Sequence, residues 1–160
     1  MRRFLIAFGV VGACALVALI FYVIYRHETG PVVPSGLSDF PGYKAEAIVI
    51  DGQSIQSAIA DTPDLQSLGL GNRDGLPQGE GMIFIFPVDK EYAFWMKDMR
   101  FSIDMIWISA DDRIVYMAQD VAPDTYPHDF IPTIPARYVL ELPANYALQH
   151  GFKIGDTVQM

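Results

Sequence analysis

The chain has 160 residues, 51% of them hydrophobic, with eleven Lys or Arg against nineteen Asp or Glu and a formal net charge of −8. That length accommodates one domain of ordinary size plus a short extra segment, and excludes two large independent cores. From residue 43 onward eight basic residues face seventeen acidic ones, a balance of −9, which argues against nucleic acid as a partner because phosphate binding needs a basic surface, and which repels anionic headgroups.

The first predicted element is apolar. Residues 4–25 run for 22 positions without a charge, long enough as a helix (about 33 Å) to cross a hydrocarbon layer of about 30 Å. We read residues 1–26 as a retained transmembrane anchor. A cleaved signal peptide would carry a shorter apolar region and a small-x-small site, whereas this run ends bulky and aromatic at Phe21, Tyr22 and Tyr25 before Arg26. Val11-Gly12-Ala13-Cys14 resembles a lipoprotein signal, but about ten further apolar residues follow Cys14, where a lipidated chain would turn polar. Lipidation and cleavage stay as alternatives. Arg2 and Arg3 precede the segment and only Arg26, offset by Glu28, follows it, so the N-terminus is expected in the cytoplasm and the remainder in the periplasm or outside the cell. Cys14 is the single cysteine, so the domain beyond it contains no disulfide.

Residues 27–42, rich in Pro, Gly and Ser, read as a flexible tether able to span about 40 Å when extended. From residue 43 to the end, the pattern changes to short strand-like runs at 45–50, 55–60, 82–86, 92–96, 103–109, 114–118, 138–142 and 157–160, separated by turn signals such as Asp51-Gly52 and Asp111-Asp112. Thr62 is placed to cap a short helix, with Pro63 and Asp64 in its first turn and Gly69 at its end. A second helix is expected over 144–150, closed by Gly151. The fold class is therefore mainly β, an antiparallel sandwich or squashed barrel with two short helices, preceded by the anchor. The proline-rich connection 119–135 is long for a compact domain.

Gly69-Leu70-Gly71-Asn72-Arg73, Gly81-Met82-Ile83-Phe84-Ile85-Phe86, Phe94-Trp95-Met96-Lys97 and Ile103-Asp104-Met105, in that order, resemble the uncharacterised DUF192 family, also called UPF0127. The likeness continues through Asp111-Asp112-Arg113-Ile114-Val115, Leu140-Glu141-Leu142 and Gly155-Asp156. It implies a jelly-roll-like β-sandwich, often exported or anchored, and brings no established activity. Family members usually carry Met at the place of Gly71 and an Asn-Thr turn where this chain has Asp98-Met99.

Five polar or aromatic positions stand out as ligand-binding candidates: Arg73, Trp95, Lys97, Asp104 and Glu141. Alternation over 92–97 separates Tyr92, Phe94 and Met96 from Ala93, Trp95 and Lys97 and predicts a strand covered on both faces. Alternation over 103–108 puts Asp104 on a face with Ile106 and Ile108. A carboxylate there needs a partner. Lys97 across the turn, or Arg73, would serve, either as a structural buried pair or as part of a ligand-facing cluster. Glu141 shares a face with Val139 and Arg137, and a bridge to Arg137 is the simplest expectation; acid-base chemistry would require Asp104 and Glu141 in one cleft.

His128 and Asp129, with Asp124 nearby, lack a second His at ligand spacing. No metal or cofactor is expected. Met82, Met96, Met99, Met105 and Met117 are expected in the core. The functional expectation is a non-enzymatic module that binds a small polar ligand or an envelope protein, its membrane contact made by the N-terminal helix. The alternative is a hydrolase-type enzyme using Asp104 or Glu141 with Arg73 or Lys97.

Overall fold

The computed structural model describes residues 40–160. The expected anchor and nearly all of the tether lie outside the described residues. Among the described residues no helix is long and apolar enough to cross a membrane.

β1 (Lys44–Ile50) and β2 (Gln53–Ala60) form a hairpin. Asp51 and Gly52 both take positive φ, 48° and 77°, the geometry that lets a two-residue turn follow the right-handed twist of its strands. α1 (Pro63–Leu68) follows. Thr62 Oγ1 accepts a hydrogen bond from the Leu65 N–H at 3.4 Å, and the Gly69 N–H donates to the Leu65 carbonyl. This helix and the turns after it carry the chain back, so that β3 (Glu80–Lys90) joins β2 in parallel; a parallel pair requires such a crossover.

β4 (Ile103–Ile108), β5 (Ile114–Val121), β6 (Ala136–Pro143), α2 (Tyr146–His150) and β7 (Val158–Gln159) complete the elements. They form a seven-stranded curled sheet of order β5-β4-β6-β3-β2-β1-β7, in which every neighbouring pair except β2·β3 is antiparallel. A two-sheet sandwich is therefore replaced by one half-barrel. The reason lies in β6. It pairs with β3 on one edge (Met82 opposite Glu141) and with β4 on the other (Met105 opposite Glu141), tying into one sheet strands that a sandwich would divide between two.

The C-terminal residues hold the curl. β7 pairs with β1, while on its other side Arg113 bridges Thr157, the Ile114 N–H donates to Asp156 O at 3.0 Å and the Val158 N–H to Asp112 O at 2.8 Å. The Arg113 guanidinium adds bonds to Gly155 O and Thr157 Oγ1, both 2.9 Å. Both outer strands are thereby joined at one end, which removes part of the unpaired edge an open sheet presents.

Two apolar clusters lie on opposite faces. Ile48, Ile55, Ile83, Ile106, Leu140 and Leu142 belong to the one reached by α2 and β7. Met82, Phe84, Met96, Met105, Trp107 and Val139 belong to the other, covered by loops. All six residues of β4 are buried. The methionine expectation holds: Met82, Met96 and Met105 are buried, and Met99 and Met117 pack against the clusters.

The expected strand over 92–96 does not form. Only Phe94 bridges, to Phe130 in the proline-rich connection, and the Tyr92 carbonyl accepts instead from Trp107 Nε1 at 2.9 Å. The segment lies across the sheet as a covering strap, so its outward side chains meet solvent, and Trp95 is 50% exposed where two-sided coverage was expected.

Close strand approach makes Gly81 sensitive. A Cβ there would sit 3.0 Å from Glu141 O, 3.0 Å from Leu142 Cδ2 and 3.1 Å from Ser57 Oγ. Gly81→Ala is expected to lower stability by about 1 to 3 kcal/mol, read as a fall in the urea midpoint.

Candidate functional site

The site is built around Glu141. Along β6, alternation turns Val139 and Glu141 toward the methionine-rich cluster and Tyr138, Leu140 and Leu142 toward the isoleucine-rich one. Its flanking partners on β3 and β4 are the apolar Met82 and Met105. Glu141 is 5% exposed and its Oε2 has no hydrogen-bond partner among the described residues. Burial pushes the carboxyl up from its ordinary 4.5 to about 8, because the charged form loses its hydration and gains nothing in exchange. Arg137, the expected partner, bonds Asp89 through Nε at 2.5 Å instead. Four residues along a strand separate side chains by about 13 Å, too far for a bridge to Glu141.

Glu141 lies in the wall of a cleft of about 270 Å³ between the end of α1 and the strap. Phe84, Phe86, Tyr92 and Phe94 supply its aromatic lining. Their rings pack edge to face or stacked, with centroids 4.9 Å apart for Phe84 and Phe94 and 3.7 Å for Phe86 and Tyr92. The half-exposed Trp95 and the exposed Lys97 also line it, as does Leu68 at the end of α1. Two of the polar side chains in the lining have their ends committed to backbone: Tyr92 Oη donates to Val88 O at 2.8 Å, and Gln66 Nε2 to Ala60 O and Ile85 O at 3.3 and 2.9 Å. Glu141, buried, and Lys97, exposed, are the acidic and basic residues of the lining.

Asp104 is placed elsewhere. It pairs with Leu142 across β4 and β6, one residue out of step with Glu141, and so lies on the opposite face of the sheet. No cation meets it. Its Oδ1 accepts from the N–H groups of Asp120 and Asn145 at 2.8 and 2.9 Å, and its Oδ2 from Ala147 N–H at 2.8 Å. The expectation of a Lys97 or Arg73 partner is thus corrected: three backbone donors satisfy the carboxylate. Asn145, the residue before α2, makes no side-chain cap, and Asp104 provides that function from the adjacent sheet. The sheet also separates Asp104 from Glu141, which removes paired-carboxylate chemistry.

Arg73 is outside the cleft as well, its guanidinium carbon 4.0 Å from the centre of the Phe40 ring and 5.9 Å from that of Tyr43. Of the five candidates, the cleft brings together Trp95, Lys97 and Glu141. His128 packs edge-on against Phe130 at 4.8 Å, and among the described residues no three His, Cys, Asp or Glu side chains converge on a metal-sized point.

The family model for DUF192, described as an uncharacterised ACR, matches residues 46–160. The chain belongs to the DUF192 family. Among solved structures, a protein of unknown function from Novosphingobium aromaticivorans DSM 12444 is 27% identical with a TM-score of 0.71, over 82% of this chain and 90% of that one. A candidate transcription regulator from Sinorhizobium meliloti 1021 is 25% identical with a TM-score of 0.69, over 73% and 94%. No curated protein matches.

The DUF192 motifs now divide by role. Trp95, Lys97 and Glu141 face the cleft; Asp104 holds α2. Reasoning on sequence missed Phe86, Tyr92 and Leu68 as lining. The first had a signal, since Met82, Phe84 and Phe86 alternate onto the Glu141 side. The other two had none, because their approach depends on how the strap and α1 fold over the sheet.

Proposed function

We propose that this DUF192 domain is a small-molecule-binding module, displayed outside the cytoplasm by the N-terminal apolar segment. The observation that carries the reading is the buried, unpartnered Glu141 carboxyl in the wall of an aromatic cleft. An open hydrogen-bonding group among apolar walls is how ligand pockets combine affinity with orientation. Leaving it unmet costs the empty protein free energy that a bound polar group would recover. The cleft is slightly below the roughly 300 to 1,000 Å³ usual for organic ligands, which favours a small one. Residues 43–160 carry a net charge of −9, so the regulator description of the Sinorhizobium protein gains no support from the charge balance of this domain.

The full chain, released from mild detergent under native conditions in a mass spectrometer, is expected to retain a small mass that Trp95→Ala loses. An empty wild-type spectrum together with a co-isolated protein would instead make the domain a protein-interaction module.

One observation favours an enzyme as the second reading. A carboxyl held near 8 is protonated at neutral pH and can act as a general acid, as raised carboxyls do in glycosidases. Glu141 with Lys97 would then carry the hydrolase-type chemistry, with Asp104 excluded by its position. A rate that falls as pH rises through about 8 would identify it.

A further inference from the structure

Resting on the ligand-binding reading, we propose that the occupant of this cleft is an organic ammonium ion, its charged nitrogen against the Glu141 carboxylate and its apolar body among the rings.

Three observations converge on a cation. An ionised carboxylate only accepts hydrogen bonds, and Oε2 of Glu141 has none to accept among the described residues. A ligand that pairs with the ionised form must donate, and one that also neutralises it gains most. The cleft wall is unusually rich in aromatic rings, Phe84, Phe86, Tyr92, Phe94 and Trp95, whose faces attract ammonium groups. Finally, the −9 charge of residues 43–160 draws cations toward the surface and repels carboxylates and phosphates.

The titratable groups that share the cleft do not supply the cation themselves. Tyr92 donates its hydroxyl to Val88 O. Lys97 is exposed, and burial is the cause of the Glu141 shift, with no charge contributing to it. The strands on either side present Met82 and Met105, and α1 presents Gln66, Ser67 and Leu68; none of these carries a charge.

Binding is therefore coupled to a proton. In the empty cleft Glu141 is the neutral acid. When the ammonium seats, the carboxyl releases its proton to solvent and becomes the carboxylate that pairs with it. Affinity rises with pH while the empty group is still protonated, and levels off once it is ionised.

The test uses the full chain in detergent micelles with three probes of one shape: phenethylamine, phenethyl alcohol and phenylacetate, titrated calorimetrically in two buffers of different ionisation enthalpy. Phenethylamine is expected to bind best, to release close to one proton at neutral pH, and to tighten about fiftyfold between pH 6 and pH 8. Glu141→Gln keeps the shape and is expected to abolish both the proton release and the pH dependence. Trp95→Ala, at a half-exposed rim position, is expected to weaken phenethylamine several-fold while leaving the fold intact. Tighter binding of the alcohol or the acid, or an amine affinity indifferent to pH, overturns the cation assignment and leaves a ligand-binding cleft. No binding by any probe at millimolar concentration also overturns it, and the retained-mass experiment then decides separately whether the cleft holds a ligand of another class.

Discussion

Glu141→Gln is expected to stabilise the ligand-free protein, by about 3 kcal/mol at pH 7 and about 5 kcal/mol above pH 8, and to leave it unchanged at pH 4.5. The sign follows from the two states. In the unfolded chain the carboxyl ionises above its ordinary 4.5, whereas in the folded protein it stays neutral until about 8. Folding above pH 4.5 therefore takes up a proton, at a cost to the wild type of about 1.4 kcal/mol for each pH unit. The cost accumulates from 4.5 to 8 and is constant beyond. A glutamine fills the same volume and never ionises. Urea unfolding of both proteins at pH 4.5, 7 and 8.5 measures the difference directly. Curves that stay parallel across that range would mean that the carboxyl is already paired or hydrated in the folded state. Divergence of the two curves would show that the wild type retains a destabilising group at the cleft, the kind of local conflict that functional sites tolerate and cores do not.

Asp104 is expected to show the opposite behaviour. Asp104→Ala removes the acceptor of three backbone N–H groups at a position with 0% exposure. Each buried donor left unmet costs about 1 to 3 kcal/mol, so a loss of about 3 to 5 kcal/mol is expected, a large share of the stability of a domain this size. Asp104→Asn is expected to lose less, about 1 to 3 kcal/mol, because one oxygen can keep the Asp120 and Asn145 donors while the amide NH₂ faces Ala147. Amide exchange should speed up first at Asn145 and Ala147, where α2 begins. If instead the alanine variant were as stable as wild type but lost ligand, Asp104 would belong to a site on the α2 face.

The contrast between these two carboxyls explains how far sequence reasoning reached. Both stand in strands among apolar neighbours, and both raised the same question of what satisfies them. For Asp104 the answer is a set of backbone groups brought in by the turn before α2 and by the end of β5, 16 to 43 positions away in the chain. For Glu141 the described residues bring nothing to Oε2. Side-chain alternation fixes which face a residue takes within its own strand. It carries no information on how two strands are registered against each other, and here a single step of register, Met105 opposite Glu141 and Asp104 opposite Leu142, sends the two acids to opposite faces.

What was legible was local. The Asp51-Gly52 hairpin, the Thr62 and Gly69 boundaries of α1, the Gly151 cap and six of the eight strand runs follow from φ preferences, capping chemistry and alternation acting over a few residues, and they were read correctly to within a few positions. The DUF192 motifs were legible for the same reason, as ordered local segments. The run at 157–160 became a two-residue strand with a larger task than its length suggested, joining β1 to the start of β5. The run at 92–96 became a strap, its alternation satisfying a strand's pattern while only Phe94 bridges, to Phe130. The single curled sheet, the placement of β6 between β3 and β4, and the cleft that unites Trp95, Lys97 and Glu141 while excluding Arg73 and Asp104 were decided by tertiary structure, because strand order and register are set by packing of both sheet faces together and no window of sequence contains that information.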